Sequence, residues 1–372
     1  MDMPPPRMDF KSKHRVRVAI VGGGIAGLAC AKSLGQRGAD VTVFEAASAG
    51  QGALWASGGM LAGGFECAES RASPAFAALA KRGMALWSGW AEELGVAEIG
   101  YRVGGVVCPA ANAAGHAWLD GLVDRAEALD IPIQGIRAIS DGLHASRTIC
   151  FPGDGELDNR LLGPRLVAFL REAAVTIHEN CFVERLSAKG DGLRVEATTG
   201  SNNFDHVILA TGNAGNEFAK IEPSLSAIRP VKGQMLSLEG QGLNILFCLR
   251  AQNAYVSQKA DGRFVIGATS EPGQNDLDVD AAAIAELRAK AESWLPALGG
   301  MSLRESWAGI RPGTLDDMPI LGRGAQDGVH LALGLYRNGV LIAPAVGEMI
   351  ADAVLNGAAL PAEFAASRFD QR

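Results

Sequence analysis

A strand–turn–helix–strand unit near the start of the chain constrains its fold more than any other feature. The apolar run Arg17–Val21 leads into Gly22-Gly23-Gly24-Ile25-Ala26-Gly27, which has the pattern Gly-x-Gly-x-x-Gly, and then into a helical pattern over residues 28–37. A second apolar run, residues 41–44, ends at Glu45. This order and spacing predict a Rossmann-type unit whose first helix points its N-terminus at the pyrophosphate of a dinucleotide.

Each glycine of this pattern has a physical task. Gly22 permits the tight turn, Gly24 lets the backbone approach a pyrophosphate, and Gly27 lets the helix pack closely on the strand. Glu45 would accept hydrogen bonds from a ribose diol and would repel a 2′-phosphate, which argues against NADP. The pattern alone leaves FAD and NAD both open, because both contain an adenosine ribose and a pyrophosphate.

Composition narrows the function classes. The chain has 372 residues, enough for two domains, and 34 basic against 41 acidic residues give a net charge of −7. This balance argues against nucleic acid as a partner and offers no basic face to anionic lipid. The most apolar late stretch, residues 331–347, contains Arg337, Asn338, Gly339 and Pro344. Those residues argue against a transmembrane segment.

Cysteines, histidines and the first residues point to a metal-free intracellular protein. The six cysteines are far apart and show no zinc-type spacing, and the histidines at 14, 116, 144, 178, 206 and 330 lie in no catalytic motif. Residues 1–13 are rich in proline and polar groups and lack the apolar core of a signal peptide, so we expect a disordered tail. A cytoplasmic location is the expectation that follows.

Periodicity predicts the remaining elements. Helices are predicted over residues 74–94, 118–129, 161–173 and 281–294, and a second strand, glycine loop and helix unit over 329–355. A buried strand is predicted to end at Ala210-Thr211-Gly212. Strands at 234–238, 254–258 and 264–268, the last two joined by a turn at 260–262, predict an antiparallel sheet in a second domain.

Taken together, six motifs give the chain a specific family resemblance. They are Gly22 to Glu45, Ser57-Gly58-Gly59-Met60-Leu61-Ala62, Ala210-Thr211-Gly212, Gly267-Ala268-Thr269, Gly309-Ile310-Arg311-Pro312 and Tyr336-Arg337-Asn338-Gly339-Val340-Leu341. In this order, over residues 16–355, they resemble the D-amino acid oxidase family of flavoproteins, and within it the glycine oxidases. The resemblance implies an α/β fold: an FAD-binding Rossmann-like domain of the glutathione-reductase type, with an inserted α+β substrate domain built on an antiparallel sheet.

The resemblance also implies domain boundaries and a non-covalent FAD. The FAD-binding domain would comprise residues 14–85, 150–222 and 305–365, and the substrate domain residues 86–149 and 223–304. Covalent attachment through Cys67 is the less favoured alternative. The implied FAD contacts are Gly22, Gly24, Ile25, Ala26, Gly27, Glu45, Ala46, Gly52, Ala53, Gly58, Gly59, Met60, Val183, Ala210, Thr211, Gly212, Arg337, Asn338, Gly339, Val340 and Leu341. The N–H groups of the last four would face the flavin O2 edge, where negative charge develops on reduction.

Three residues are the implied catalytic set. Arg311 would clamp the substrate carboxylate through its forked guanidinium, the Tyr255 hydroxyl would reach the same carboxylate, and Arg337 would contact the carboxylate or guard the mouth of the site. Asn253 stands where relatives often carry histidine, which leaves substrate preference open. No metal and no protein base is required if the substrate amine is neutral and its Cα lies about 3–3.5 Å from flavin N5.

The implied reaction is oxidation of glycine or another small amino acid by O2. A hydride would pass from Cα to flavin N5, and the imino acid would hydrolyse to glyoxylate and ammonia while O2 becomes hydrogen peroxide. The product would supply thiamine thiazole synthesis, and a homo-oligomer is possible. The alternatives are an oxidase or dehydrogenase for a D-amino acid, sarcosine or proline, a catalytically silent flavoprotein scaffold, and an NAD-linked dehydrogenase.

Overall fold

The computed structural model describes residues 15–69, 73–135, 142–190, 192–215 and 218–369. The predicted tail, residues 1–13, lies outside these ranges. Within them are eight α-helices: α1 Ile25–Gln36, α2 Ala53–Ala56, α3 Gly63–Glu69, α4 Pro74–Leu94, α5 Ala113–Ala128, α6 Asn159–Glu172, α7 Ala281–Trp294 and α8 Gly339–Asn356. Short 3-10 helices occur at Pro223–Ala227, Pro296–Gly300, Tyr336–Asn338, Ala362–Phe364 and Ala366–Phe369.

The same ranges contain twenty strands. They are β1 Arg17–Val21, β2 Asp40–Phe44, β3 Met60–Leu61, β4 Val106–Ala110, β5 Gln134–Gly135, β6 Arg147–Phe151, β7 Gly155–Glu156, β8 Thr176–His178, β9 Val183–Lys189, β10 Gly192–Ala197, β11 Gly200–Phe204, β12 His206–Leu209, β13 Arg229–Glu239, β14 Cys248–Arg250, β15 Tyr255–Gln258, β16 Phe264–Gly267, β17 Glu271–Pro272, β18 Ser302–Gly313, β19 Ile320–Arg323 and β20 Val329–Leu333.

A six-stranded sheet carries the predicted dinucleotide unit. Its order is β19-β20-β12-β1-β2-β8, and every pair is parallel except β19 with β20. Because β1 lies between β12 and β2, the loops that follow these three strands meet at one edge. The predicted α/β fold with a Rossmann-like half is confirmed.

A nine-stranded sheet forms the second half of the molecule. Its order is β17-β13-β16-β15-β14-β4-β6-β5, with β18 paired along the whole of β13. All of its pairs are antiparallel except β14 with β4, so the predicted antiparallel sheet is confirmed with one parallel junction. The predicted domain boundary at residue 305 falls inside β18, a strand of this sheet. The segment boundaries otherwise stay a prediction.

Two predicted strands form a sheet of their own. The sequence pattern at residues 183–186 and 192–196 predicts short strands of the first domain, and the corresponding strands β9 and β10 pair with each other. Strand β10 also pairs with β11, which gives a three-stranded antiparallel sheet of order β11-β10-β9. This small sheet covers one face of the six-stranded sheet, where Phe204 and Val195 pack with Val21 and Phe44. Because one face of the small sheet is covered in this way, buried and half-buried residues alternate along β10. In β11 only the last residue, Phe204, is buried.

Helix α8 forms the centre of the core on the opposite face. It packs against α1 and α4, and Trp87 of α4 donates its indole N–H to the carbonyl oxygen of Val340 at 3.1 Å. By length and composition alone, Tyr336–Asn356 could cross a membrane, but 67% of its most apolar window is buried inside the protein. That burial is typical of a core helix, whose apolar surface is covered by other helices.

Candidate functional site

One large cavity lies where the loops of the six-stranded sheet meet the nine-stranded sheet. Its volume is about 1140 Å³, which is large enough for a dinucleotide and a small substrate. Its wall includes residues from the loop after β1 and from α1, β13, β15, β18 and the start of α8. The two halves of the molecule therefore contribute to one site.

The dinucleotide end is shaped by the glycine pattern. Gly22 has φ of +109°, and a Cβ at this position would overlap the carbonyl oxygen of Ala210. A Cβ on Gly27 would overlap the carbonyl oxygen of Gly22, so α1 can approach β1 only with glycine here. Gly24 differs, because a Cβ there would meet no atom within 4 Å. Gly24 thus faces the open cavity, as expected of the residue that approaches a phosphate.

The residues present fit a bound dinucleotide. Gly24 caps α1 without any side-chain hydrogen bond, so the first N–H groups of the helix have no capping side chain. The Thr211 hydroxyl is buried at the cavity wall and lacks a hydrogen-bond partner among the described residues. Glu45 also lines the cavity, and its carboxylate accepts hydrogen bonds from the N–H groups of Gly23 at 2.7 Å and Ala47 at 2.8 Å. These contacts fix the carboxylate beside the predicted ribose.

Most of the predicted FAD contacts share this cavity. Those on its wall are Gly22, Gly24, Ile25, Ala26, Glu45, Gly52, Ala53, Gly58, Gly59, Met60, Ala210, Thr211, Gly212, Arg337, Gly339 and Val340. Five lie outside the wall that the described residues form: Gly27, Ala46, Val183, Asn338 and Leu341. Gly27 acts through packing, Val183 is buried behind β1, and Asn338 precedes α8. Contact with the cofactor stays a prediction for these five residues and for those on the wall.

Arg311 belongs to β18 and lines the part of the cavity that is predicted to bind the substrate. A Cβ on Gly233 of the paired strand β13 would overlap the guanidinium, so glycine there makes room for it. The guanidinium donates only long hydrogen bonds, to the carbonyl oxygens of Thr269 at 3.3 Å and Lys232 at 3.5 Å. Within the described part of the chain no carboxylate forms an ion pair with it. Burial lowers the pKa of Arg311, although Tyr255 and Tyr336 oppose the shift.

Tyr255 stands beside Arg311, at the start of β15. A Cβ on Gly58 or on Gly267 would overlap its ring or hydroxyl, so two glycines enclose the phenol. The hydroxyl lies 3.6 Å from the Met235 sulfur, a weak contact that leaves it free to bind a ligand. Burial raises the pKa of Tyr255, and the phenol therefore stays protonated as a hydrogen-bond donor.

Arg337, the third residue of the predicted catalytic set, already forms ion pairs with two glutamates. Its Nη2 lies 2.9 Å from a carboxylate oxygen of Glu66 and 2.9 Å from one of Glu69. Burial alone would lower the pKa of Arg337, but these two carboxylates raise it. Arg250 also pairs with Glu69, at 3.5 Å. A direct contact of Arg337 with substrate stays a prediction.

Sequence reasoning missed three of these charged residues: Glu66, Glu69 and Arg250. All three line the cavity. The one available signal was the i, i+3 spacing of Glu66 and Glu69, which places both on one face of a helix. Nothing in the sequence connects Arg250 to that helix, because the contact depends on the folded sheet.

A buried lysine links the two ends. Lys259 follows β15 and donates hydrogen bonds to the carbonyl oxygens of Gly58 at 2.8 Å and Leu157 at 2.9 Å. It also pairs with Glu156 at 3.1 Å. Burial would raise the pKa of Glu156, but Lys259 and Arg102 hold it below its ordinary value. Lys259 thereby fixes Gly58, a wall residue, against the strand that carries Tyr255.

The cysteines play no visible part in the site. The six cysteines are free and buried, and none is among the residues that line the cavity. Burial, with smaller contributions from the nearby Asp154 and Glu66 carboxylates, raises the pKa of the Cys67 thiol to about 12. A thiol that holds its proton so firmly is a poor nucleophile. No cluster of metal-ligand type occurs among the described residues.

The fold and the cavity define a dinucleotide-dependent enzyme whose substrate end offers an unpaired cation. Comparison with known proteins gives the family: the model of the FAD dependent oxidoreductases, DAO, matches residues 17–353. The chain therefore belongs to this family and is an FAD-dependent oxidoreductase. The predicted D-amino acid oxidase family and the predicted FAD are confirmed, and the NAD-linked alternative is set aside.

Individual relatives cover most of the chain. It is 32% identical over 352 residues to a glycine oxidase of Pseudomonas aeruginosa, covering 90% of this chain and 94% of the relative. It is 34% identical over 361 residues to a bifunctional protein ThiO/ThiG of a Synechocystis species, covering 91% of this chain but 51% of that protein. A crystal structure of glycine oxidase from Geobacillus kaustophilus superposes with a TM-score of 0.86 at 29% identity, covering 95% of this chain and 99% of that one.

Proposed function

We propose that the protein oxidises glycine or another small amino acid to the imino acid, with FAD as hydride acceptor and O2 as the final oxidant. The imino acid then hydrolyses to glyoxylate and ammonia, and O2 leaves as hydrogen peroxide. One observation carries the proposal: a guanidinium without a carboxylate partner, Arg311, faces the same cavity as a protonated phenol, Tyr255. A single carboxylate would satisfy both groups.

The chain's own residues bind and orient the substrate. Arg311 would hold the carboxylate through charge-assisted hydrogen bonds, each worth about 1.5–3 kcal/mol, and Tyr255 would donate a further one. Held at two points, the substrate would present its Cα in one orientation, which is the main requirement for a direct transfer. No histidine lines the cavity among the described residues. We therefore assign no protein base, and the amine would react in its neutral form.

The FAD would lie between the two ends of the cavity. Gly24 and the start of α1 would bind its pyrophosphate, Glu45 its ribose, and Gly339 and Val340 at the start of α8 would face its flavin. Bound FAD supplies the hydride acceptor at N5. The glycine oxidase relatives support the proposed activity, and thiamine thiazole synthesis is the use of the product that we infer from the ThiO/ThiG relatives. Six free, buried cysteines suit the cytoplasmic location that we propose.

Substitution of Arg311 tests the clamp. Arg311→Met should raise the KM for glycine by several tens of fold or more and leave FAD bound, because the removed charge touches no predicted cofactor group. Steady-state kinetics and the visible flavin spectrum measure the two effects. Arg304→Met is the matched control, since Arg304 lies on the same strand and is 45% exposed. Unchanged turnover of glycine in Arg311→Met would contradict the clamp.

Anaerobic reduction tests the substrate. Glycine, sarcosine, D-alanine and L-proline would be added separately to the holoenzyme without oxygen while the flavin band is followed. Rapid bleaching by glycine is expected. If one of the other three compounds reduces the flavin and glycine does not, that compound is the better candidate for the substrate. A flavin that stays oxidised with all four would favour a silent scaffold.

A further inference from the structure

Four charged side chains form a neutral group on the cavity wall. This charged quartet consists of Glu66, Glu69, Arg250 and Arg337, all of which line the cavity that contains Arg311. Arg337 lies 2.9 Å from each glutamate, and Arg250 lies 3.5 Å from Glu69. The two positive and two negative charges cancel. Among the described residues that line the cavity there are three guanidinium groups, and two of them, Arg250 and Arg337, already have carboxylate partners.

The quartet differs from Arg311 in how its charges are satisfied. The Glu66 side chain is 7% exposed and that of Arg250 is 15% exposed, whereas that of Arg337 is 35% exposed, so the quartet runs from the protein interior toward solvent. Burial raises the pKa of Glu66, while Arg337 and Arg250 act in the opposite direction. A ligand carboxylate near the quartet would meet paired arginines and two nearby glutamates. Of the three arginines on the described part of the wall, Arg311 is the one without a carboxylate partner, so it can bind an anion without first losing an ion pair.

Glu69 is the member that holds both arginines. It lies within ion-pair distance of Arg250 as well as of Arg337, and Glu66 also forms an ion pair with Arg337. Its side chain is 22% exposed, compared with 7% for Glu66, so replacing it disturbs the core less. Neutralising Glu69 would leave Arg250 without an ion-pair partner among the described residues. Arg250 would keep its contacts with the Ala251 carbonyl oxygen and the Phe65 ring, and its charge would become available to a ligand carboxylate.

We propose that Glu69 determines substrate specificity: by occupying Arg250 and Arg337, it restricts the cavity to ligands with one carboxylate. This inference rests on the proposed function, because it assumes that the first carboxylate binds Arg311. A dicarboxylic amino acid is rejected because its second carboxylate is repelled by Glu66 and Glu69 and gains no free cation. The rejection is electrostatic and does not depend on the size of the cavity.

Ligand binding without turnover provides the first test. The flavin absorption of the holoenzyme would be titrated with acetate, malonate and succinate, which carry one carboxylate or two at different spacing. In Glu69→Gln, the affinity for malonate or succinate relative to acetate should rise about ten-fold, since a charge-assisted pair becomes available. The double variant Glu69→Gln/Arg250→Met should lose this gain. Glu92→Gln, a substitution of an exposed glutamate on α4, is the control.

Turnover provides the second readout. The ratio of kcat/KM for D-aspartate or N-(carboxymethyl)glycine to that for glycine should rise in Glu69→Gln and return in the double variant. A ratio of affinities within two-fold of wild type for both diacids, in a variant with an intact flavin spectrum, would overturn the proposal. Failure of glycine to reduce the wild-type flavin would count against the proposed function alone, because the diacid titration does not require turnover.

Discussion

The two ends of the cavity bind their ligands by different means. At the dinucleotide end, the surface consists mainly of backbone: the N–H groups at the start of α1, closely packed glycines, and the loop after β12. At the substrate end, the surface consists of side chains from distant segments: Arg311, Tyr255 and the charged quartet. The first end tolerates little change of backbone shape. The second can change its specificity while the backbone stays the same.

This difference predicts how the two ends respond to substitution. A change at the glycine pattern should affect folding or FAD retention before it affects substrate choice. A change at the substrate end should alter KM and substrate preference while FAD remains bound. The following predictions test the contrast, beginning with the largest effect.

A pair of glycine substitutions separates packing from binding at the dinucleotide end. Gly27→Val should destabilise the protein by about 3 kcal/mol or more, because its side chain would overlap the Gly22 carbonyl. Gly24→Ala should fold normally and bind FAD about ten-fold more weakly, because the added methyl projects into the open cavity. Urea unfolding of the apoprotein and FAD titration measure these effects. If both variants lose the same stability and the same FAD affinity, the distinction between a packing glycine and a binding glycine would be wrong.

Lys259 tests whether the two ends are mechanically linked. Lys259→Met should lower the free energy of unfolding by about 3–5 kcal/mol, since it leaves the buried Glu156 without one of its cations. It should also raise the KM for glycine, because Gly58 is no longer fixed beside Tyr255. The exposed Lys189→Met is the control for chemical denaturation. A stable variant with normal KM would show that the ends are independent.

A pH series tests the six-stranded sheet without touching the cavity. Burial, together with smaller effects of His206 and Arg323, lowers the pKa of His330 to about 4. The imidazole is therefore neutral in the fold, and this contribution to stability is present above pH 6.5 and lost as pH falls toward 4. The pKa difference of about 2.5 corresponds to about 3 kcal/mol.

The measurement is urea unfolding at pH 7 and at pH 4.5. In His330→Gln the loss of stability between these values should be smaller than in wild type. His116→Gln, which replaces a half-buried histidine of α5, should retain the wild-type loss. If His330→Gln loses as much stability between pH 7 and pH 4.5 as the wild type, other groups cause the acid sensitivity.

The contrast between the two ends also explains what the sequence could predict. The bounds of α4 and α7 were predicted to the residue, because Ser73 and Asp280 cap them and the apolar spacing is regular. The start of α5 was placed five residues late, since Asn112 was not recognised as its cap. Strand β11 was not predicted, because Gly200-Ser201-Asn202-Asn203 has the composition of a turn.

At the site, the sequence predicted the parts that depend on local backbone. Gly22, Gly24 and Glu45 of the predicted dinucleotide unit line the cavity, as do Arg311 and Tyr255, which family resemblance singled out. Their contacts with cofactor and substrate stay predictions. The paired state of Arg337 could not be predicted, because its partners belong to α3 and the pairing depends on how α3 packs. Ion pairs between distant segments leave no periodic signal in a single sequence.

The position of α8 has a consequence for synthesis of the chain. This helix fills the space between α1 and α4, and β20 just before it completes the sheet next to β12. During translation, α1, α4 and β12 emerge long before residues 329–356. A nascent chain at that stage has an unpaired strand edge and two uncovered apolar helix faces. We therefore expect the dinucleotide motif, although made first, to acquire its cofactor only near the end of translation.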